Sequence, residues 1–96
     1  MIDIHDLFER HNDEYLKFDR VDERMSDRPD LCAFLLLDSI LPGSSRDIVC
    51  AAEHDVIYLD TDCEELAKVA TEDKIITLAR CGVLHDRETD SLFMFA

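Results

Sequence analysis

Two Cys-x-x-x-His segments contain the residues best suited to chemistry in this chain: Cys50 with His54, and Cys81 with His85. Two thiolates and two imidazoles form a common tetrahedral zinc set. Their spacing argues against a shared ion, because an extended stretch would separate Cys50 from His54 by roughly 13 Å at ~3.3 Å per residue. The alternative is two buried thiols and two imidazoles at turns or strand edges. We therefore predict no metal at these residues and no cofactor.

A second candidate is the acidic segment 60–65, Asp-Thr-Asp-Cys-Glu-Glu, which begins like a calcium loop with acids at alternate positions. Such loops require glycine at the sixth position, where this chain has Glu65. The segment also leads directly into a predicted helix, whose N-terminal end favours nearby carboxylates. We therefore interpret it as an acid-rich helix start.

Catalytic motifs are not evident in the sequence. A Cys–His nucleophile needs an electropositive environment that favours the thiolate, and an acidic chain supplies the opposite field. The sequence contains no Gly-rich phosphate loop and no Gly-x-Ser-x-Gly motif. His5 and His11 lie on or beside the apolar stripe of the first predicted helix, where packed, hydrogen-bonded histidines are expected. We therefore predict that the protein is not an enzyme.

The strongest functional signal is charge: 23 Asp and Glu against 10 Lys and Arg give a formal net charge of −13. No Lys or Arg lies between Arg46 and Lys68. This balance disfavours direct nucleic-acid binding, whose affinity comes from cationic contacts to phosphate. It favours a basic protein surface as the partner. The predicted contact residues are Glu53, Asp55, Asp60, Asp62, Glu64 and Glu65.

Length and composition favour a single domain over residues 1–96 in a cytoplasmic protein. No apolar run approaches the ~20 residues of a membrane span, so no membrane contact is expected. The N-terminal residues are acidic where a secretory signal has a basic region, which disfavours export. Cys32, Cys50, Cys63 and Cys81 are then expected to be reduced thiols that behave as small buried apolar residues.

Hydrophobic periodicity predicts two N-terminal helices. Asp3 can cap the first helix. The apolar stripe of this helix extends to about residue 26 through the seven-residue repeat Ile4, His11, Phe18 and Met25. Pro29 suits the first turn of the second, which extends to about residue 41. Apolar residues around most of its circumference predict that this second helix is central and the most buried. The first helix is expected to pack on it, and any surplus of its apolar face would form a homodimer.

Strands and short helices alternate in the remaining chain. Residues 48–52 and 56–59 are apolar runs joined by a polar turn, which predicts a β-hairpin. Asp62 and Thr71 are suitable N-caps for helices over residues 63–70 and 72–81, and Gly82 is a natural helix stop. Residues 83–85 and 92–95 form a second predicted hairpin. The predicted fold is α+β: two N-terminal helices, a β-hairpin, two short helices and a C-terminal β-hairpin.

From residue 29 onward this order resembles that of winged-helix proteins: helix, strand, helix, short turn, helix and a two-stranded wing. In that resemblance the recognition helix carries Glu72, Asp73, Lys74 and Arg80, and is close to neutral. The wing turn, residues 86–90, is acidic. Because DNA binding requires the opposite charge, the resemblance implies a protein-binding scaffold.

We therefore predict a cytoplasmic, non-enzymatic protein-binding module. Its small size and strong acidity resemble those of small phage-encoded inhibitors, including anti-CRISPR proteins that occupy a basic nucleic-acid channel. The resemblance is to this class of proteins as a whole and does not depend on a sequence motif. It implies a nucleic-acid-mimicking inhibitor of a basic partner. Two alternatives stay open. One is an accessory protein, acidic for solubility, with a winged-helix-like or dimeric interaction surface. The other is a small zinc-binding protein.

Overall fold

Pairs of α-helices and pairs of strands follow one another along the computed structural model, which describes residues 3–22, 24–42 and 47–95. The helices of these ranges are α1 (Ile4–Arg10), α2 (Pro29–Ile40), α3 (Cys63–Val69) and α4 (Glu72–Arg80). The strands are β1 (Val49–Glu53), β2 (Val56–Leu59), β3 (Leu84–Asp86) and β4 (Ser91–Phe95). This content confirms the predicted α+β class, and the order of elements follows the prediction. No helix in the described ranges has the length and apolarity to cross a membrane.

The two hairpins join into one antiparallel sheet with strand order β1-β2-β4-β3. At the junction, Val56 pairs with Phe95 and Leu59 pairs with Leu92. The β1–β2 turn therefore lies at one end of the sheet, and the β3–β4 turn lies at the other. One face of β4 is buried through Leu92 and Met94. The sheet thus has an apolar face covered by helices, as antiparallel sheets commonly do.

The helix starts follow local side-chain chemistry. Asp3 accepts a hydrogen bond from the backbone N–H of Asp6, and Asp62 accepts from those of Glu64 and Glu65. Thr71 accepts from the backbone N–H of Lys74 at the start of α4. Each bond satisfies a backbone donor that has no partner within the first helical turn. The predicted N-caps are therefore all confirmed.

The first helix is much shorter than predicted, because α1 ends at Arg10 and two 3-10 turns, Asn12–Glu14 and Phe18–Arg20, follow it. Leu16 adopts a positive φ of 59° and donates its backbone N–H to the carbonyl of Ala79 at 3.1 Å. A helical continuation would forgo these contacts with α4. Helix propensity is a weak preference that such tertiary contacts override, so the seven-residue stripe does not lie on one helix.

The predicted central position of α2 is also wrong. Leu31 and Leu35 are 43% and 39% exposed, so α2 is covered along one side only. The largest fully buried side chains lie mainly in the sheet, α3 and α4, among them Leu59, Leu66 and Leu78. In addition, α1 packs chiefly on α4 and β3 instead of on α2. A chain of this size has too little apolar surface to enclose every helix.

Candidate functional site

The sheet brings acidic segments that are distant in sequence to one end of the molecule. Leu59 pairs with Leu92 and Asp86 pairs with Ser91, so the segment after β2 and the β3–β4 turn share this end. Asp60 donates its N–H to the carbonyl of Ile48 at 2.6 Å, which adds the segment before β1. We call this surface the acidic edge; its members are Asp47, Asp60, Asp62, Glu64, Glu65, Asp86, Glu88 and Asp90.

Few cations accompany these acids. Between residues 60 and 69 the only Lys or Arg is Lys68, and between residues 86 and 91 it is Arg87. The Lys68 ammonium contacts the Glu65 carboxylate at 3.1 Å. This hydrogen bond, together with the charges of Glu65, Glu64 and Asp62, raises the pKa of Lys68 above its ordinary value. The direction of that shift reflects a local excess of negative charge.

The predicted contact residues divide between the two ends of the sheet. Asp60, Asp62, Glu64 and Glu65 belong to the acidic edge. Glu53 and Asp55 flank the opposite β1–β2 turn, which adjoins Phe95, because Val56 pairs with that residue. The sequence prediction omitted Asp47 and the three acids of the β3–β4 turn. The acidity of that turn is visible in the sequence, but its position depends on the pairing of β2 with β4.

A second cluster lies against the acidic edge, where Cys63, His85 and Asp90 converge. One potential ligand atom from each residue lies within 4.8 Å of the other two. The Nε2 atom of His85 is 2.8 Å from Oδ1 of Asp90. The His85 side chain is only 3% exposed, whereas that of Asp90 is 72% exposed. The Cys63 and His85 side chains are therefore buried, and the Asp90 side chain is the solvent-exposed member of the cluster.

Helix α1 holds the His85 ring in place. The Nδ1 atoms of His5 and His85 are 3.0 Å apart, and Nε2 of His5 is 3.1 Å from Oε1 of Glu9. The Phe8 ring stacks near the His85 imidazole, with ring centroids 6.5 Å apart. The result is a chain of contacts from Glu9 through His5 and His85 to Asp90.

The two predicted Cys-x-x-x-His segments are not brought together. Cys50 is exposed on β1 and donates its thiol to the carbonyl of Tyr58 at 3.5 Å. His54 is exposed in the β1–β2 turn with a φ of 54°. Cys81 is fully buried after α4, and burial with the adjacent Cys32 thiol raises its pKa to about 12. Within the described ranges, only His85 of these four belongs to a group of three possible ligands.

Sequence reasoning missed Cys63 and Asp90 as partners of His85. The sequence analysis treats Cys63 as part of the acidic segment 60–65 and as one of four reduced thiols, and no local spacing relates it to residue 85. The His85–Asp90 pair had a usable signal, because the two residues flank a predicted hairpin turn and so lie close in any such turn. As for the other histidines, His5 contacts His85 and Glu9, and His11 contacts Glu72 at 2.7 Å.

The geometry is unsuited to a nucleophilic cysteine. Burial, followed by the charges of Asp90 and Asp62, raises the pKa of Cys63 to about 11, so the thiol keeps its proton at neutral pH. Both ring nitrogens of His85 are already engaged, Nδ1 by His5 and Nε2 by Asp90. A nucleophile–base pair needs one of these nitrogens on the thiol and an orienting group on the other.

Comparison of the chain with protein-family models, with curated proteins and with solved structures gives no significant match in any of the three searches. The acidic edge and the Cys63–His85–Asp90 cluster are therefore the features of this protein from which a function can be inferred.

Proposed function

We propose that this protein is a non-enzymatic binding module whose acidic edge contacts a basic protein surface. The observation that carries the proposal is the pairing of β2 with β4, which gathers acids from three separate segments at one end of the sheet. A chain that used acids only for solubility would have no need to concentrate them, because dispersed charge also prevents association.

Several of these carboxylates take part in no ion pair within the described ranges. Asp47, Glu64 and Glu88 are exposed and form no ion pair with any residue in the described ranges. Their mutual repulsion opposes folding. A basic partner would relieve it, and the long-range attraction would accelerate association until salt screens it over about 10 Å at 0.1 M.

A narrower form of the proposal is an inhibitor that imitates a nucleic acid. The acidic edge crosses four strands, which is about 14 Å at ~4.8 Å between neighbouring strands. That width corresponds to a few successive phosphates on one nucleic-acid strand. If the basic partner normally binds nucleic acid, this protein should displace the nucleic acid competitively. A partner that holds protein and nucleic acid at the same time would contradict mimicry while leaving acidic-edge binding in place.

The test uses a lysine decapeptide as the cationic probe and amide chemical shifts of the labelled protein as the readout. We expect the shifts to concentrate at residues 47, 60–65 and 86–90 and to diminish with added salt. An edge variant neutralises three acids without an ion pair: Asp47→Asn, Glu64→Gln and Glu88→Gln. The matched control neutralises three exposed acids elsewhere: Asp38→Asn, Glu53→Gln and Asp55→Asn.

Both variants have the same net charge. A difference in their peptide binding would therefore show that a local surface binds the peptide, and not the total excess of acid. The edge variant should weaken peptide binding by about tenfold, roughly 1.4 kcal/mol, and the control variant should change it much less. The proposal would be refuted if the two variants weakened binding equally, or if the shifts were spread evenly over the surface. Either result would show that peptide binding depends only on the net charge of the protein.

A second candidate is an accessory protein that self-associates through α2. Leu31 and Leu35 lie one helical turn apart and are 43% and 39% exposed. Exposed apolar groups at this spacing suit a helix–helix contact between two copies. Sedimentation equilibrium distinguishes this candidate, because Leu35→Glu would then abolish a dimer, whereas the edge variant would leave that dimer intact.

A further inference from the structure

We propose that Cys63, His85 and Asp90 form a binding site for a divalent zinc-class cation. The site shares one ligand, Asp90, with the proposed partner surface, and its other two ligands lie outside that surface. It also differs from the Cys50, His54, Cys81 and His85 set that the sequence suggests, because it shares His85 alone with that set.

The donor types favour zinc over other common cations. One thiolate, one imidazole and one carboxylate are all established zinc ligands, and three protein ligands leave a fourth position open. Calcium and magnesium prefer sites made of oxygen atoms only. Binding would form a sulfur–metal bond and release the thiol proton of Cys63 to solvent.

The contacts of α1 prepare His85 as a ligand. The Nδ1 atoms of His5 and His85 are 3.0 Å apart, so one ring donates to the other and the direction depends on the tautomer. When His85 is the donor, its Nε2 atom has a lone pair directed at Oδ1 of Asp90, 2.8 Å away.

In that tautomer Nε2 of His85 and the Asp90 carboxylate are both acceptors, and a metal ion between them would satisfy both. The same arrangement is the usual support of a ligating histidine, whose second nitrogen donates to a neighbouring group and fixes the ring orientation. The competing explanation is the other tautomer, in which Nε2–H of His85 donates to Asp90 and Nδ1 of His85 accepts from His5. That explanation gives Cys63 no role, so the two can be separated by experiment.

The distances require only small adjustments. Ligand atoms around a tetrahedral zinc lie about 3.4 Å apart for nitrogen and oxygen, and about 3.6 Å for nitrogen and sulfur. Asp90 would therefore move outward by roughly half an ångström, and its side chain is 72% exposed in a turn. The sulfur lies within 4.8 Å of both other atoms, so the Cys63 side chain would approach by at most about 1.2 Å.

The test titrates cobalt(II), a spectroscopic substitute for zinc, into the reduced, metal-free full-length protein. We expect one equivalent to bind with visible ligand-field bands of tetrahedral coordination and a near-ultraviolet thiolate-to-cobalt charge-transfer band. Zinc should displace the cobalt and abolish both. Cys63→Ser should remove the charge-transfer band, while Cys50→Ser, which alters the exposed thiol, should retain it.

Asp90→Asn changes an exposed side chain and therefore tests the site without disturbing the packing of the core. It should weaken cobalt binding by about tenfold or more, as loss of a ligand or its support typically does. Glu88→Gln removes the same charge from the same turn and should leave affinity within about twofold. The proposal fails if no charge-transfer band forms, if Cys50→Ser abolishes it, or if Glu88→Gln weakens binding as much as Asp90→Asn. A salt-dependent peptide interaction with no cobalt site would refute this inference and leave the proposed function standing.

Discussion

The N-terminal region, residues 3–22, and the acidic edge are both rich in carboxylates, but the fold uses them differently. In the N-terminal region Glu14 contacts Arg80 at 2.7 Å and Arg20 at 2.9 Å. There Asp6 contacts Arg10 at 2.6 Å. In the acidic edge, Glu65 contacts the ammonium of Lys68 at 3.1 Å. Glu14 thus attaches its segment to α4, whereas Asp47, Glu64 and Glu88 of the acidic edge project into solvent.

The difference shows that formal charge alone does not locate a binding surface. Glu14 joins an irregular segment to α4, and its side chain is only 15% exposed. This pairing substitutes for the helical hydrogen bonds that the segment lacks beyond Arg10. Asp47, Glu64 and Glu88 of the acidic edge form no comparable ion pair with a residue in the described ranges, and their side chains are exposed. Helix α1 connects the two regions, because His5 contacts His85 beside the edge.

The largest effect should come from breaking the attachment of the N-terminal region to the core. Phe8 is only 4% exposed and stacks on His85, so Phe8→Ala should cost about 3–5 kcal/mol. Phe18→Ala should cost less, because this ring is only partly buried. Urea unfolding of both variants measures the difference. Equal losses would mean that residues 18–22 belong to the core as fully as α1 does.

A smaller effect is expected when the Glu14 pair is removed. The hydrogen bond from Arg80, with the charges of Arg80 and Arg20, lowers the pKa of Glu14 below its ordinary value of 4.5. Because the folded state holds this proton less tightly, the contribution to stability is complete above pH 4.5 and disappears as pH falls through the folded pKa. Glu14→Gln should therefore lower Tm by a few degrees at neutral pH.

The pH profile of that variant provides the sharper check. The difference in Tm between wild type and Glu14→Gln should narrow as the solution is acidified below pH 4.5. Glu88→Gln serves as the control, since it removes an acid that has no ion pair with a residue in the described ranges. A difference that stays constant from neutral to acidic pH would show that the Glu14 carboxylate is not stabilised by its arginines.

The smallest effect should come from the acidic edge itself. The double variant Glu64→Gln and Glu88→Gln should leave the free energy of unfolding within about 0.5 kcal/mol of wild type, or raise it slightly. The reason is that it removes repulsion and no attachment. Any gain should shrink with added salt, because the repulsion is screened. A marked loss of stability in denaturant unfolding would mean that these acids support the fold as Glu14 does.

Local chemistry in the sequence was sufficient for much of the fold. The caps Asp3, Asp62 and Thr71 start helices where expected, because each interaction spans only a few residues. Pro29 begins α2, and β2 has the predicted bounds. The α+β class follows from the same short-range signals, since the period of the apolar residues differs between helices and strands. The acidity that motivates the proposed function is likewise a property of composition.

Only the tertiary structure decided where these elements meet. The length of α1 depends on Leu16 and Glu14, whose partners Ala79 and Arg80 lie more than sixty residues away. The acidic edge depends on the pairing of β2 with β4, and the contact between Cys63 and His85 depends on where α3 and β3 pack. Such contacts are selected by the total burial of apolar surface and hydrogen bonding over the whole chain, which no local window of sequence contains.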